Sequence, residues 1–280
     1  MDYSQEIKET IEAMRREFLR LAEWFRKFSE ADWAAPTFCP DWTASQVMGH
    51  ITFGGEFFAS SVRNGLKGDL GFPFGAKTRE EFMTMRKDMA IEIGRLDGPA
   101  LTDRFEASTT DVIDLFASLD PADYEKMTWH RRRNFPIRRL ILSRLNEYLL
   151  HEWDIQNKPS APLTGPSVAI AARNLRQHCQ LFYELSPAEG LSGAFAFDLT
   201  DIGYRWATRV EDGKGIDMGI GEHSADGHLV DATFSATAGD MLLLITGRLP
   251  VPQSRADGRL AIEGDEEKAE TLLPTLFFPL

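Results

Sequence analysis

Three residues of this chain have the types and spacing of a metal-binding triad. Glu147 and His151 lie four apart in the stretch Arg144-Leu145-Asn146-Glu147-Tyr148-Leu149-Leu150-His151-Glu152-Trp153-Asp154, so on a helix they share one face. His50 closes a second stretch, Cys39-Pro40-Asp41-Trp42-Thr43-Ala44-Ser45-Gln46-Val47-Met48-Gly49-His50, which reads as the start of another helix. A catalytic zinc ion usually takes three protein ligands and keeps one position for water or substrate. Two neutral imidazoles and one carboxylate would cancel one of the ion's two charges. The open position would then stay acidic enough to take the proton from a water or a thiol near neutral pH. Spacing alone leaves the bland alternative open, in which Glu147 and His151 are a solvated pair and His50 is a satisfied core histidine. The other histidines, His130, His178, His223 and His228, have no partner at such spacing and read as surface or structural.

For the three residues to meet, two helices must face each other. Ile7, Ile11, Met14, Phe18, Leu21, Trp24, Phe25 and Phe28 recur at spacings of three and four, which predicts a long amphipathic first helix ending before Asp32. Thr43 is the expected N-cap of a second, whose apolar face runs through Val47, Ile51, Gly54 and Phe58. Gly65 to Thr78, with its glycines and Pro73, reads as a loop. A third helix is expected from Thr78 to about Leu96, a short one over Asp111 to Leu119, and a fourth long one from Pro136 through Ile141, Leu145, Tyr148, Leu149 and Trp153. Four long helices predict a four-helix bundle, a fold that holds metals on facing helices.

The texture changes after Pro159-Ser160-Ala161-Pro162. One helix over 164–186 leads into alternating segments at 194–199, 204–210 and 232–236, which read as strands. An amphipathic helix over Thr237 to Thr246, a strand over Arg259 to Gly264 and a closing helix over Asp265 to Leu273 complete a small α+β domain. The expected domains are thus 1–160 and 161–280.

The net charge of −12 and pI near 5.0 argue against a nucleic-acid partner, which demands a concentrated basic face. Arg131-Arg132-Arg133 with Arg138 and Arg139 is the local exception, and reads as a solvated helix approach or a greeting for an anionic substrate. No apolar run has the length of a membrane span and the N-terminus has no signal-peptide pattern, so the expected location is cytoplasmic, with no membrane partner. Cys39 and Cys179 stand alone and read as inert buried thiols.

Cys39-Pro40-Asp41-Trp42-Thr43 followed by His50, with Glu147 and His151-Glu152-Trp153-Asp154 about a hundred residues later, resembles the N-terminal domain of the mycothiol-dependent maleylpyruvate isomerase family, a branch of the DinB-like four-helix metal-binding proteins. Ala238-Gly239-Asp240-Met241-Leu242-Leu243-Leu244-Ile245-Thr246-Gly247-Arg248 and Leu260-Ala261-Ile262-Glu263-Gly264-Asp265 are similar to the sterol-carrier-like domain that ends many of these proteins. The resemblance implies a zinc ion, or another divalent transition metal, on His50, Glu147 and His151. It implies mycothiol or a similar low-molecular-weight thiol as cosubstrate, bound as thiolate and attacking a small electrophile, for isomerisation of a maleylpyruvate-like diacid or for thiol transfer. It also places an arginine after the Leu-rich helix near the catalytic cleft, which carries over to Arg248 as a carboxylate clamp. Arg248 as a cap on its own helix is the alternative. Asp154 reads either as an acceptor that orients His151 or as a solvated carboxylate. Two rival functions stand beside this one: metal-assisted hydrolysis, and a non-catalytic carrier in which Phe195, Phe197, Trp206 and Phe234 line an apolar cavity.

Overall fold

The computed structural model describes residues 3–185, 189–212, 214–220 and 230–277, and the chain divides into two compact units, Met1–Ala161 and Pro162–Leu280. His223 and His228 lie outside the described residues. Among the described residues no helix is long and apolar enough to cross a membrane.

The first unit contains six α-helices among its described residues: α1 (Ser4–Phe25), α2 (Glu30–Trp33), α3 (Ala44–Leu66), α4 (Arg79–Ile93), α5 (Gly98–Ala117) and α6 (Ile137–Gln156). Four of them enclose the core, since α1 and α3 each pack on both α5 and α6, whereas α4 packs on α3. The fourth wall of the bundle is therefore α5, expected only as a short helix over Asp111 to Leu119, and the expected third helix is α4, an outer layer. The periodicity of α5 is hidden because Ser108 and Thr109 sit buried between Leu101, Phe105, Val112 and Phe116. Two polar residues on an inward face weaken the apolar signal although their small volume suits close packing.

Other differences are local. α1 ends at Phe25, and Phe28 folds back against Trp24 and Trp33, each at 4.8 Å between ring centroids. Gly65 belongs to α3 rather than to the loop, and it packs so close to β1 that a Cβ there would sit 2.5 Å from the Met127 carbonyl oxygen. Pro136 immediately precedes α6 instead of lying in its first turn.

α3 starts where its capping box places it: Thr43 N–H donates to Gln46 Oε1 at 2.8 Å, and Gln46 N–H returns a longer contact to Thr43 Oγ1 at 3.4 Å. Its approach to α4 is close enough that a Cβ on Gly49, beside His50, would stand 2.4 Å from the Ala90 carbonyl oxygen. Between α5 and α6 a two-residue ribbon, β1 (Met127–Thr128) against β2 (Phe135–Pro136), carries Arg131-Arg132-Arg133 at its turn. The ribbon is fastened to α3, with Thr128 Oγ1 donating to Ser61 O at 2.6 Å and Ser61 Oγ to Trp129 O at 2.5 Å.

The second unit begins with α7 (Pro166–Arg173) and α8 (Leu175–Leu185), two helices where one was expected over 164–186. A five-stranded mixed sheet follows, of β3 (Gly193–Leu199), β4 (Tyr204–Glu211), β5 (Lys214–Ile220), β6 (Ala232–Ala236) and β7 (Ala261–Gly264) in the order β5-β4-β3-β6-β7. β3 and β6 pair in parallel and every other pair is antiparallel. β5 was not foreseen, because Gly215, Gly219, Lys214 and Asp217 weaken the strand signal of the alternating Ile216, Met218 and Ile220.

Three helices complete the unit: α9 (Ala238–Ile245), the unforeseen α10 (Val251–Ala256) and α11 (Glu266–Leu276). All of α9 is buried, including Asp240, which pairs with Arg259, so the expected amphipathic helix has no solvent face. Phe195, Phe197, Trp206 and Phe234 are fully buried, and Phe197 stacks on Trp206 at 4.8 Å and on Phe234 at 5.3 Å. These rings fill the unit's core rather than lining a cavity.

Candidate metal centre

The helix-capping pattern and the 3.6-residue period carry His50, Glu147 and His151 to one place within the first unit. His50 projects from α3, and Glu147 and His151 from α6 one turn apart. One ligand atom from each of the three lies within 4.8 Å of the other two. Glu147 Oε2 stands 3.6 Å from His50 Nε2 and 3.5 Å from His151 Nε2. Both separations exceed a sound hydrogen bond. They match the edge of a tetrahedron whose centre is bonded at zinc distances, about 3.3–3.6 Å. The donor set and its spacing thus fit a divalent transition metal, with a carboxylate to offset part of its charge. Glu147 is also 34 % exposed, which leaves one side of the cluster open.

The far side of His151 is closed. Its Nδ1 is 2.8 Å from Asp154 Oδ2, a hydrogen bond that puts the ring proton on Nδ1 and turns the Nε2 lone pair toward Glu147. Asp154 is buried and accepts a second hydrogen bond, donated by Cys39 Sγ at 3.4 Å. Cys39, His151 and Asp154 form a second candidate metal group by proximity, but the Nδ1 to Oδ2 distance leaves no room for an ion between them. Asp154 therefore orients the His151 ring. Cys39, read from sequence as an inert buried thiol, is half-buried and helps to hold that carboxylate. The loop bearing Cys39 is tied to α6 by Phe38 N–H donating to Asp154 O at 2.8 Å, and Trp42 sets its ring edge-on to His50 at 5.6 Å. Cys179 is buried, and burial pushes its thiol up.

The three ligands differ in charge. Burial pushes the His50 imidazole down to about 4, so it stays neutral. Burial works to raise the Glu147 carboxyl, yet the facing His151 and His50 rings hold it well below the usual carboxylate range. Burial likewise opposes charge on His151, but Asp154, Cys39 and Glu147 together outweigh it and raise the ring well above its ordinary value. In the metal-free protein protonation of His151 is thereby favoured and competes with an arriving ion.

Arg144 joins the two ligand helices. It is fully buried on α6, donates from Nη2 to Ile51 O at 2.8 Å and from Nε to Tyr148 Oη at 3.2 Å, and lies over the Tyr148 ring at 4.6 Å. Ile51 is the residue after His50, so this contact fixes the separation of α3 from α6 at the site. A Cβ on Gly54 would come within 2.7 Å of Arg144 Nη1.

The charge of Glu147 is felt by Arg86 on α4 and by His130, Arg131 and Arg132 at the β1–β2 turn. His130 is packed between Phe57 at 5.9 Å and Phe135 at 5.1 Å, and burial pushes its imidazole down to about 3, so the cations here are the three arginines. The Arg131–Arg133 run was the only sequence signal for these cations, and Arg86 gave none. Arg248 belongs to the second unit, at the bend after α9, with Nη1 3.4 Å from Thr246 O near the helix end.

Fold and site together define a class: a four-helix bundle with a His–Glu–His centre of metal-binding type, followed in the same chain by a small α+β unit on a mixed sheet. Residues 14–156 match the mycothiol maleylpyruvate isomerase N-terminal domain, and the chain belongs to that family. Residues 179–276 match the SCP-2 sterol transfer family. Two crystal structures of a mycothiol-dependent maleylpyruvate isomerase share the fold. A histidine-to-alanine mutant superposes with a TM-score of 0.61 at 12 % identity, covering 92 % of each chain. The other gives 0.60 at 13 % identity, covering 87 % of this chain and 90 % of that one. No curated protein matches the sequence.

Proposed function

We propose that the protein is a zinc-dependent enzyme that uses a low-molecular-weight thiol, mycothiol or a close analogue, on a small electrophilic substrate. The reaction is isomerisation of a maleylpyruvate-like cis-enoyl diacid or thiol transfer to an electrophile. The observation that carries this reading is the convergence of His50, Glu147 and His151 at ligand spacing, with Asp154 holding the proton of His151 away from the open side. Zinc or a related ion bound there would supply a Lewis-acidic open position that favours a thiolate over its thiol.

The chain's own residues then do three things. Glu147 and the two imidazoles fix the position, Asp154 keeps His151 in the ligating tautomer, and Trp42 walls the site beside His50. In the isomerisation, the thiolate sulfur adds to one alkene carbon and the alkene electron pair moves into the conjugated carbonyl as an enolate. The carbon–carbon bond, now single, rotates. Collapse of the enolate restores the double bond as trans and expels the thiolate unchanged. Arg248 is proposed as a bidentate clamp for an anionic part of thiol or substrate.

The test is turnover of maleylpyruvate by metal-loaded and metal-stripped protein, with and without added mycothiol. Activity that requires both supports the proposal. Activity that requires metal but no thiol favours the hydrolase reading. A preparation that takes up less than about a tenth of an equivalent of zinc overturns the metal centre altogether.

A further inference from the structure

Arginines on the first unit generally find carboxylates. Arg15 pairs with Asp114 at 2.8 Å, Arg26 with Glu106 at 2.7 Å, Arg104 with Glu56 at 2.9 Å and Arg138 with Glu125 at 2.7 Å. Arg86, Arg131 and Arg132 differ: each is half-buried, and none has an ion pair within 4 Å among the described residues. All three stand where the charge of Glu147 is felt, and Arg131 is near enough to act on both Arg86 and Arg132. Burial, together with Arg131 and against the pull of Glu147, pushes Arg132 down to about 10.

Their support is rigid. Trp129, just before the turn, is wedged against Phe82 at 4.6 Å, Phe72 at 5.3 Å and Phe57 at 6.0 Å. Arg133 and Arg139 both lie over the Phe135 ring at 5.8 Å. The turn that carries Arg131 and Arg132 is therefore anchored on both sides rather than a solvated tail. Gathering unpaired cations at partial burial costs free energy that a bound anion would return. Planar guanidinium groups match a carboxylate in two-pronged fashion. In a chain of net charge −12, such a patch also draws an anion to one spot.

We infer that Arg86, Arg131 and Arg132 form a carboxylate-binding subsite beside Glu147, which receives the anionic end of the substrate and selects small di- or polycarboxylates. That the anion is the substrate of a metal centre rests on the function proposed above, whereas the subsite itself does not.

Maleate, a small cis-dicarboxylate, serves as the probe, titrated calorimetrically into metal-stripped and zinc-loaded protein at low and at physiological salt. Saturable binding to both forms is expected, weakening as salt rises. The Arg131→Gln/Arg132→Gln double variant should lose about tenfold or more in maleate affinity in both forms, as expected for removing charge-assisted hydrogen bonds. Its zinc uptake should stay at the wild-type level. Arg86→Gln should weaken maleate in the same direction. Maleate affinity unchanged in the double variant, binding that needs zinc and ignores the arginines, or no saturable binding to either form would each overturn the subsite. If instead the protein takes up no zinc while maleate still depends on the arginines, the metal reading falls and the subsite stands.

Discussion

Replacing Asp154 with asparagine isolates what the buried carboxylate does for the metal centre. The side chain keeps its shape, so the loop that donates Phe38 N–H to the Asp154 carbonyl is left in place. Two things change at His151. The hydrogen bond to a carboxylate that leads the upward pull on its ring is lost. The amide can also present either its oxygen or its NH2 to Nδ1, and the second orientation moves the ring proton onto Nε2, where it blocks the ligand lone pair. Losing such a partner costs about 10–100-fold in metal affinity, or about 1.4–2.7 kcal/mol. The sign with pH follows from the raised value of His151. In the wild type its proton competes with the metal up to higher pH than in the variant, so part of the wild-type advantage disappears as pH falls. Zinc affinity measured against a chromophoric chelator from pH 6 to 9 should therefore show the largest deficit at the alkaline end. Equal affinity across that range, or a deficit that grows toward pH 6, would refute the hydrogen-bonded relay from Asp154 through His151.

Further expectations follow from the same geometry. His151→Ala should abolish metal uptake while far-UV circular dichroism stays helical, because Leu145, Tyr148 and Leu149 keep their buried packing; outright unfolding would mean a structural ion. Zinc binding should release protons from His151, fewer as pH rises, readable by calorimetry in buffers of different ionisation enthalpy. The raised ring also stabilises the metal-free fold below its unfolded value near 6.5, and that contribution should fade as pH rises through its folded value. Gly49→Ala should cost about 1–3 kcal/mol in urea unfolding, since the new Cβ would stand 2.4 Å from Ala90 O; a neutral result would mean that α3 and α4 separate freely. Arg248→Lys should lower kcat/KM if the guanidinium clamps a carboxylate, and unchanged kinetics would leave it as a helix cap.

Much of the centre was legible in the sequence because its determinants are local. Glu147 and His151 share a face by helical period alone, and Thr43 with Gln46 sets the start of α3, hence the turn on which His50 falls. Caps and periods act over a few residues and survive whatever the rest of the chain does. The bundle's fourth wall was not legible, because buried Ser108 and Thr109 interrupt the apolar face of α5 and only contact with α1 and α3 holds that helix inward. Nor could spacing tell that Cys39 would share the Asp154 carboxylate, 115 positions away, or that Arg86 would join the Arg131–Arg132 turn beside Glu147. Those meetings depend on how helices and ribbon pack against α3, and packing is a property of the whole unit that no short stretch encodes.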